Sequence, residues 1–384
     1  MNRGRHGRLA DLQTALIYVV KSVDDKDCRA QFDALLSPLG WHLRHCAFVE
    51  ALWLRDRVLG DTSLTAPLIN LCLPERAPKP DRGAKLPERK TLLSWAAEIM
   101  ADNLDLLAKA EGDGDSHPLV HGGYLRDFLV AHHAQHLETM RMALTARAAA
   151  RRHGHHVAQP LNVEPPDWSR AVVDAGHYTI GADQGFSYDN ESPRHQVAFD
   201  RVALATTPVT NAQYLGFMEA GGYVERRWWK PAGWRWRVDA GVEAPHGWYR
   251  DTAGHWFEVS AAGPRDLAPE AAVTGLSRHE ALAFALWAGA GLPHEYEWEA
   301  AHRLGLLSRI GEVWEWCANP FHPYAGFRDH PYREYSMPWY DTRHYVLRGG
   351  SHHTAPETMR PSFRNYYLPD ARHIFAGVRL KFGI

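Results

Sequence analysis

Residues 127–140 read DFLVAHHAQHLETM, with apolar positions recurring at intervals of three and four, the period of a helix that buries one face. His132 and His136 stand four apart in this segment, so one helix face carries both imidazoles about one turn from each other. They extend the apolar stripe of Leu125 and Leu129 and therefore turn toward a bundle interior, where an unpaired imidazole is costly to bury. A second segment, WHLRHCAFVEALWLRD (41–56), has the stripe Trp41, His45, Phe48 and Leu52. That stripe makes His45 the candidate third ligand and sends His42 elsewhere. Three neutral imidazoles without a thiolate suit Zn, Fe, Cu or Ni, and open positions on such a metal can take substrate and oxygen together. Glu138 is expected to orient an imidazole N–H, while His117, His133, His153, His155 and His156 read as surface or linker residues.

The same periodicity recurs over residues 10–21, 41–59, 91–108 and 124–149, which predicts a helical bundle. Between the second and third helices runs LTAPLINLCLPERAPKPDRGAKLPERK (64–90), whose prolines after Leu73 exclude a continuous helix and predict a long loop beside the site. From Trp168 the text changes to short segments broken by Gly, Pro, Asp and Asn, with clear helical periodicity only at 276–290 and 294–305. Trp228, Trp229, Trp234, Trp236, Trp248 and Trp256 suggest aromatic-anchored loops there. The expected organisation is α+β: a helical domain over 1–155, a linker over 156–167 and a mixed domain over 168–384.

Composition agrees with this division. At 384 residues the chain exceeds the length at which one hydrophobic core stops growing, about 250–300 residues. Lys plus Arg number 43 against 45 for Asp plus Glu, a balance that gives no field to attract a polyanion and excludes nucleic acid as the expected partner. No apolar run approaches the ~20 residues that span a bilayer, and the basic start has no cleavable apolar segment, so a cytoplasmic protein without a membrane partner is expected. Cys28, Cys46, Cys72 and Cys317 lack CxxC spacing, and reduced thiols are expected.

The segments WHLRHCAFVEALWLRD and HHAQHLETM resemble the DinB-type four-helix bundle of the hercynine sulfoxide synthase family, non-haem iron enzymes of ergothioneine and selenoneine biosynthesis. DNESPRHQV (189–197), PVTNAQYLGF (208–217), GLPHEYEWEAA (291–301), GEVWEW (311–316), VLRGGSHH (346–353), RPSFRN (360–365) and FAGVRL (375–380) resemble the formylglycine-generating-enzyme domain, a C-type-lectin-like α+β fold. Trp314, Glu315 and Trp316 read as a core strand, and Arg348 with Gly349 and Gly350 as a buried turn without chemistry. Formylglycine generation itself uses a cysteine pair, whereas this part of the chain carries only Cys317.

The resemblance implies that His45, His132 and His136 hold Fe(II), with O2 as cosubstrate. It also implies that Gln135 and Asn365 contact hercynine, a trimethylammonio-histidine, with Tyr366 and Tyr367 as further substrate contacts and Tyr332, then Tyr335, as the catalytic tyrosine. The family's donor-side FNSY-like, YR-like and Trp-Asp pairs are replaced by INLC (69–72), Trp95-Ala96 and Tyr366-Tyr367. Loss of an arginine and an aspartate disfavours a zwitterionic donor and favours a hydroxyl-rich one, as expected of the selenosugar-using, selenoneine-forming branch. Alternatives are a sulfoxide synthase using cysteine or γ-glutamylcysteine, a zinc-dependent thiol transferase and a non-catalytic binding module. Arg82 and Arg89 in the long loop are the reserve sources of positive charge.

Overall fold

The computed structural model describes residues 3–113, 117–151, 154–164, 168–183 and 185–383, with side chains from residue 7 onward. Contacts divide the chain into two units, Met1–Arg151 and Arg152–Ile384. His153 lies outside the described residues.

The first unit is helical: α1 (Arg3–Lys21), α2 (Asp25–Arg29), α3 (Leu39–Ala51), α4 (Ile69–Cys72), α5 (Arg89–Gly112) and α6 (Tyr124–Ala150). The four long helices pack through the expected stripes, with Leu12, Leu16 and Val20 of α1, Phe48 of α3, Leu92 and Met100 of α5, and Leu125, Leu129 and Met140 of α6 all buried. Burial of such side chains stabilises a bundle by about 1.5–3 kcal/mol each relative to exposure. α3 continues into a π-helical turn over Leu52–Val58, which seats Trp53 against Phe128 of α6 with ring centroids 5.0 Å apart. α6 begins at Gly123, whose φ of 79° is a left-handed conformation that a side chain would resist. Among the described residues no helix is long and apolar enough to cross a membrane.

The second unit combines four small sheets with short helices. β1 (Arg170–Val173), β4 (Val202–Ala205) and β12 (Lys381–Phe382) form one antiparallel sheet, and β2 (Gly176–Ile180) pairs with β3 (His195–Phe199) as a hairpin. β5 (Trp248–Arg250), β6 (Trp256–Ser260) and β7 (Gly263–Asp266) form a meander. The fourth sheet has the order β10 (Asn365–Tyr367), β9 (Tyr345–Arg348), β8 (Trp314–Pro320), β11 (Ala376–Gly377), with β8 and β11 parallel. The helices are α7 (Asn211–Glu219), α8 (Pro231–Asp239), α9 (Arg278–Trp287), α10 (Glu295–Arg303) and α11 (Arg333–Ser336). α9 and α10 occupy the two segments whose periodicity was clear; α7 and α8 were not anticipated. α8 starts on Pro231, which brings a preset φ and no N–H to satisfy, so Trp234 and Trp236 lie on a helix and Trp248 and Trp256 on strands rather than on loops.

Charge, rather than apolar surface alone, organises the centre of this unit. Glu295 receives Arg364 through Nε and Nη2 at 2.8 Å each, and Arg348 Nη2 at 2.7 Å. Glu315 receives Arg379 through Nε and Nη2 at 2.7 Å each and the Trp298 indole N–H at 2.5 Å. All these residues are at most 2 % exposed. Glu295 of GLPHEYEWEAA is thus paired with Arg348 of VLRGGSHH and Arg364 of RPSFRN, and Glu315 of GEVWEW with Arg379 of FAGVRL, and GEVWEW is the core strand expected. Gly349 has φ 96°, and a Cβ there would meet the Trp298 ring at 3.1 Å, which explains the tight turn after Arg348.

Burial alone would raise the Glu295 carboxyl, but Arg364 and Arg348 override it and hold it down to about 2. Its stabilising contribution is therefore complete above the unfolded value, about 4.3, and is lost as pH falls toward about 2. Glu295→Gln leaves two buried guanidiniums short of charge and should cost about 3–5 kcal/mol of stability in denaturant titrations at pH 7. A loss of under about 1 kcal/mol, the worth of a surface pair, would contradict the arrangement.

Candidate metal centre

α3 and α6 bring three imidazoles together. His45 Nε2 lies 3.2 Å from His132 Nε2, and the ring centroids of His136 lie 4.7 Å from His45 and 4.4 Å from His132. One donor atom from each of the three falls within 4.8 Å of the others. His45 and His132 are buried and His136 half-buried.

The long loop sets the chemistry of His45. Its Nδ1 lies 2.8 Å from the Cys72 carbonyl, which can only accept, so Nδ1 carries the proton and Nε2 presents a lone pair to His132. Trp41 stacks on the His45 ring at 4.7 Å with 11° between planes, and its indole N–H donates to Leu71 O at 3.1 Å. Arg82 covers the other side of Trp41 at 3.8 Å and fastens the loop through Ala77 O at 2.8 Å, Ser37 Oγ at 2.5 Å and Pro74 O at 3.2 Å. Arg82 is thereby committed to structure, and Arg89 reaches Lys21 O at 3.4 Å. Neither is placed as a reserve charge for a donor. Ala96, where an arginine was sought, is fully buried in the bundle core, so that position says nothing about a donor pocket.

Two histidines depart from their expected places. His42 does not point away: it is buried, with Nδ1 2.9 Å from His136 Nδ1. One proton serves that contact, and on His136 Nδ1 it leaves Nε2 free for the cluster. His133 is not a surface residue but fully buried, its Nε2 2.7 Å from Glu50 Oε1. Glu50, also fully buried, further accepts from Gln13 Nε2 at 2.8 Å and Asn103 Nδ2 at 3.1 Å. Glu138 is 5 % exposed, not a helix-surface charge, and lies outside the grouped donors. The single-stripe reading failed because α3 packs on α5 as well as α6, and α6 on both α1 and α3, which buries more than one face of each.

Burial lowers His45 to about 4 and His42 to about 3, and with the neighbouring imidazoles it carries His132 and His136 well below the ordinary range. All four are neutral at pH 7 and keep the lone pairs a cation needs. Burial, with Glu50 nearby, pushes the Cys46 thiol well up. Three convergent imidazole nitrogens, one with its tautomer fixed by a carbonyl, fit a divalent first-row ion such as Fe(II).

The remaining site candidates lie in the second unit, except Gln135, which is half-buried beside His136. Asn365 heads β10, and its side-chain oxygen accepts the Tyr366 N–H at 3.0 Å. Tyr366 stacks on Phe321 at 4.1 Å and donates its hydroxyl to Tyr335 O. Tyr335 itself stacks on Tyr188 at 3.8 Å, the packing of a structural aromatic. Tyr332 precedes α11, 6.2 Å from Tyr335, and Tyr367 meets the His373 ring edge-on at 5.6 Å. The four cysteines are free and buried, as expected. His155, expected to close the helical domain, belongs instead to the second unit, where it pairs with Asp266 at 2.6 Å.

Residues 8–140 match the DinB superfamily, and residues 158–310 and 302–382 match the sulfatase-modifying factor enzyme 1-like domain. The hercynine oxygenase of Mycobacterium tuberculosis is 32 % identical over 418 residues, covering 94 % of each chain. That of Mycolicibacterium thermoresistibile is 32 % identical over 94 % of this chain and 91 % of its own. The chain belongs to the hercynine oxygenase family. The formylglycine-generating enzyme of Streptomyces coelicolor, 32 % identical, matches only 40 % of this chain and 53 % of its own, so likeness across both units distinguishes the hercynine oxygenases.

Arg82 acts on His45 only through Trp41 and the loop that carries Cys72. Arg82→Ala releases the loop that carries Cys72 and should weaken Fe(II) binding about 10–100-fold, the cost of losing an outer-sphere partner, in chelator competition. Unchanged affinity in a folded variant would contradict the coupling of loop to His45.

Proposed function

We propose that the chain is an Fe(II)- and O2-dependent enzyme that joins a selenol or thiol to the imidazole ring of hercynine, with a hydroxyl-rich selenosugar as the donor. The observation that carries this reading is the convergence of His45, His132 and His136 with lone pairs available, in a chain alike over both units to hercynine oxygenases. In the reaction the imidazole C–H and the donor Se–H or S–H are replaced by a carbon–chalcogen bond, and O2 takes up the electrons. Fe(II) supplies oxygen reduction and activation of the soft chalcogen.

The chain's own residues bind and orient. The Asn365 oxygen is engaged by Tyr366 N–H, so this amide offers N–H donors, suited to a carboxylate or an imidazole nitrogen. Gln135 supplies a second neutral amide next to His136. Tyr332 is preferred to Tyr335 as proton donor, because the Tyr335 ring is held in a stack with Tyr188. The donor preference rests on Tyr367, which stands where the family carries an aspartate, and on the commitment of Arg82 to the loop. A zwitterionic donor would lose hydration there without gaining opposite charge.

The test is O2 consumption by Fe(II)-reconstituted enzyme with hercynine and a panel of donors. We expect kcat/KM with a 1-seleno- or 1-thiosugar to exceed that with cysteine or γ-glutamylcysteine by at least about tenfold, ~1.4 kcal/mol of transition-state preference. Equal or better turnover with γ-glutamylcysteine would make this a sulfoxide synthase of the ergothioneine type. Thiol transfer that requires zinc and consumes no O2 would overturn the proposal entirely.

A further inference from the structure

A second group of ligand-type atoms adjoins the first. Cys46, His132 and His133 each place one donor within 4.8 Å of the others, and all are at most 6 % exposed. The thiol is one residue beyond His45 on α3, and His133 one beyond His132 on α6, so the group occupies the neighbouring side of the same helix pair. His133 Nε2 faces the Glu50 carboxylate at 2.7 Å, and Glu50 accepts, so the proton is on Nε2 and Nδ1 carries the lone pair. That Nδ1 is buried without a hydrogen-bond partner, and so is His132 Nδ1. A carboxylate holding one ring nitrogen while the other is left buried and open is the arrangement that orients histidine ligands in metal sites.

We propose that Cys46, His132 and His133 form a Cu(I) site, exclusive with metal binding at His45, His132 and His136. The donor set is one sulfur and two imidazole nitrogens, fully enclosed, with no fourth donor in the group. Cu(I) accepts soft, three-coordinate surroundings, whereas Zn(II) requires a fourth ligand. Binding exchanges the Cys46 proton for the cation, so the copper–thiolate unit adds no net charge to a dry interior.

Exclusivity follows from His132. A neutral imidazole has one lone pair. The His132 Nε2 lies 3.2 Å from His45 Nε2, while its Nδ1 is buried without a hydrogen-bond partner. With a metal on Nε2, the proton moves to Nδ1 and the second group loses a donor. His132, common to both groups, can thus serve one metal at a time.

The experiment uses the full-length apoprotein under anaerobic conditions, with Cu(I) delivered from a bicinchoninate complex and bound metal quantified. The wild type should take up stoichiometric Cu(I), and so should His45→Ala, which removes a ligand of the three-histidine group only. Cys46→Ala should weaken Cu(I) binding by more than about 100-fold, the upper cost of losing an outer-sphere partner, while retaining Fe(II). Copper X-ray absorption of the wild type should show a sulfur neighbour, a readout that does not depend on a variant folding. Added Cu(I) should displace Fe(II) from the wild type but not from Cys46→Ala. Undiminished copper binding in Cys46→Ala, an all-nitrogen copper environment, or joint stoichiometric loading of both metals would overturn the proposal. Loss of copper from His45→Ala would place it among the three histidines instead. The iron assignment fails separately, if His45→Ala keeps its Fe(II).

Discussion

The hydrogen bond from His45 Nδ1 to the Cys72 carbonyl is the constraint on which the helical unit's chemistry depends, because it decides which nitrogen of that ring can take a metal. Without it the imidazole is free to flip its tautomer, and the contact with His132 Nε2 becomes an ordinary shared proton. The carbonyl is in place because a proline-broken segment folds over Trp41, and Arg82 clamps that segment by stacking on Trp41 and by donating to two loop carbonyls and the Ser37 hydroxyl. A chain of contacts from Arg82 through Trp41 to His45 therefore links loop sequence to ligand geometry. Burial completes the effect: it keeps the imidazoles neutral, so metal binding does not have to displace protons at pH 7.

Periodicity made part of this legible. His132 and His136 at four-residue spacing, and His45 on the stripe of Trp41 and Phe48, were enough to bring the three imidazoles together, because bundle geometry fixes where a stripe points. The same rule misplaced His42 and His133, since it allows each helix one buried face, whereas α3 packs on α1, α5 and α6 and α6 on both α1 and α3. Glu50 was invisible for a related reason: a carboxylate in a helix reads as solvated until Gln13, Asn103 and His133 are known to converge on it. The Cys72 carbonyl leaves no trace in sequence at all, being main chain placed by a loop. Helix α8 could have been found from Pro231 followed by eight residues without a breaker other than Gly233.

The second unit shows a different relation between motif and structure. Several of its recognisable segments carry mated charges, Glu295 with Arg348 and Arg364, Glu315 with Arg379, and each carboxylate needs its guanidinium to be buried at all. These motifs therefore identify the fold and say little about catalysis. The residues proposed to bear on chemistry, Asn365, Tyr332 and Tyr367, sit at strand and helix ends and take no part in these ion pairs.

The central claim is that one Fe(II) is held by His45, His132 and His136 through nitrogen atoms whose availability the loop dictates. Anomalous diffraction at the iron absorption edge, from crystals of the Fe(II)-loaded full-length protein, tests it most directly. The account predicts a single strong peak within bonding distance of all three imidazoles, with His45 ligating through Nε2 and Nδ1 still donating to Cys72. A peak elsewhere, or one ligated by His45 through Nδ1 with the Cys72 contact broken, would contradict it.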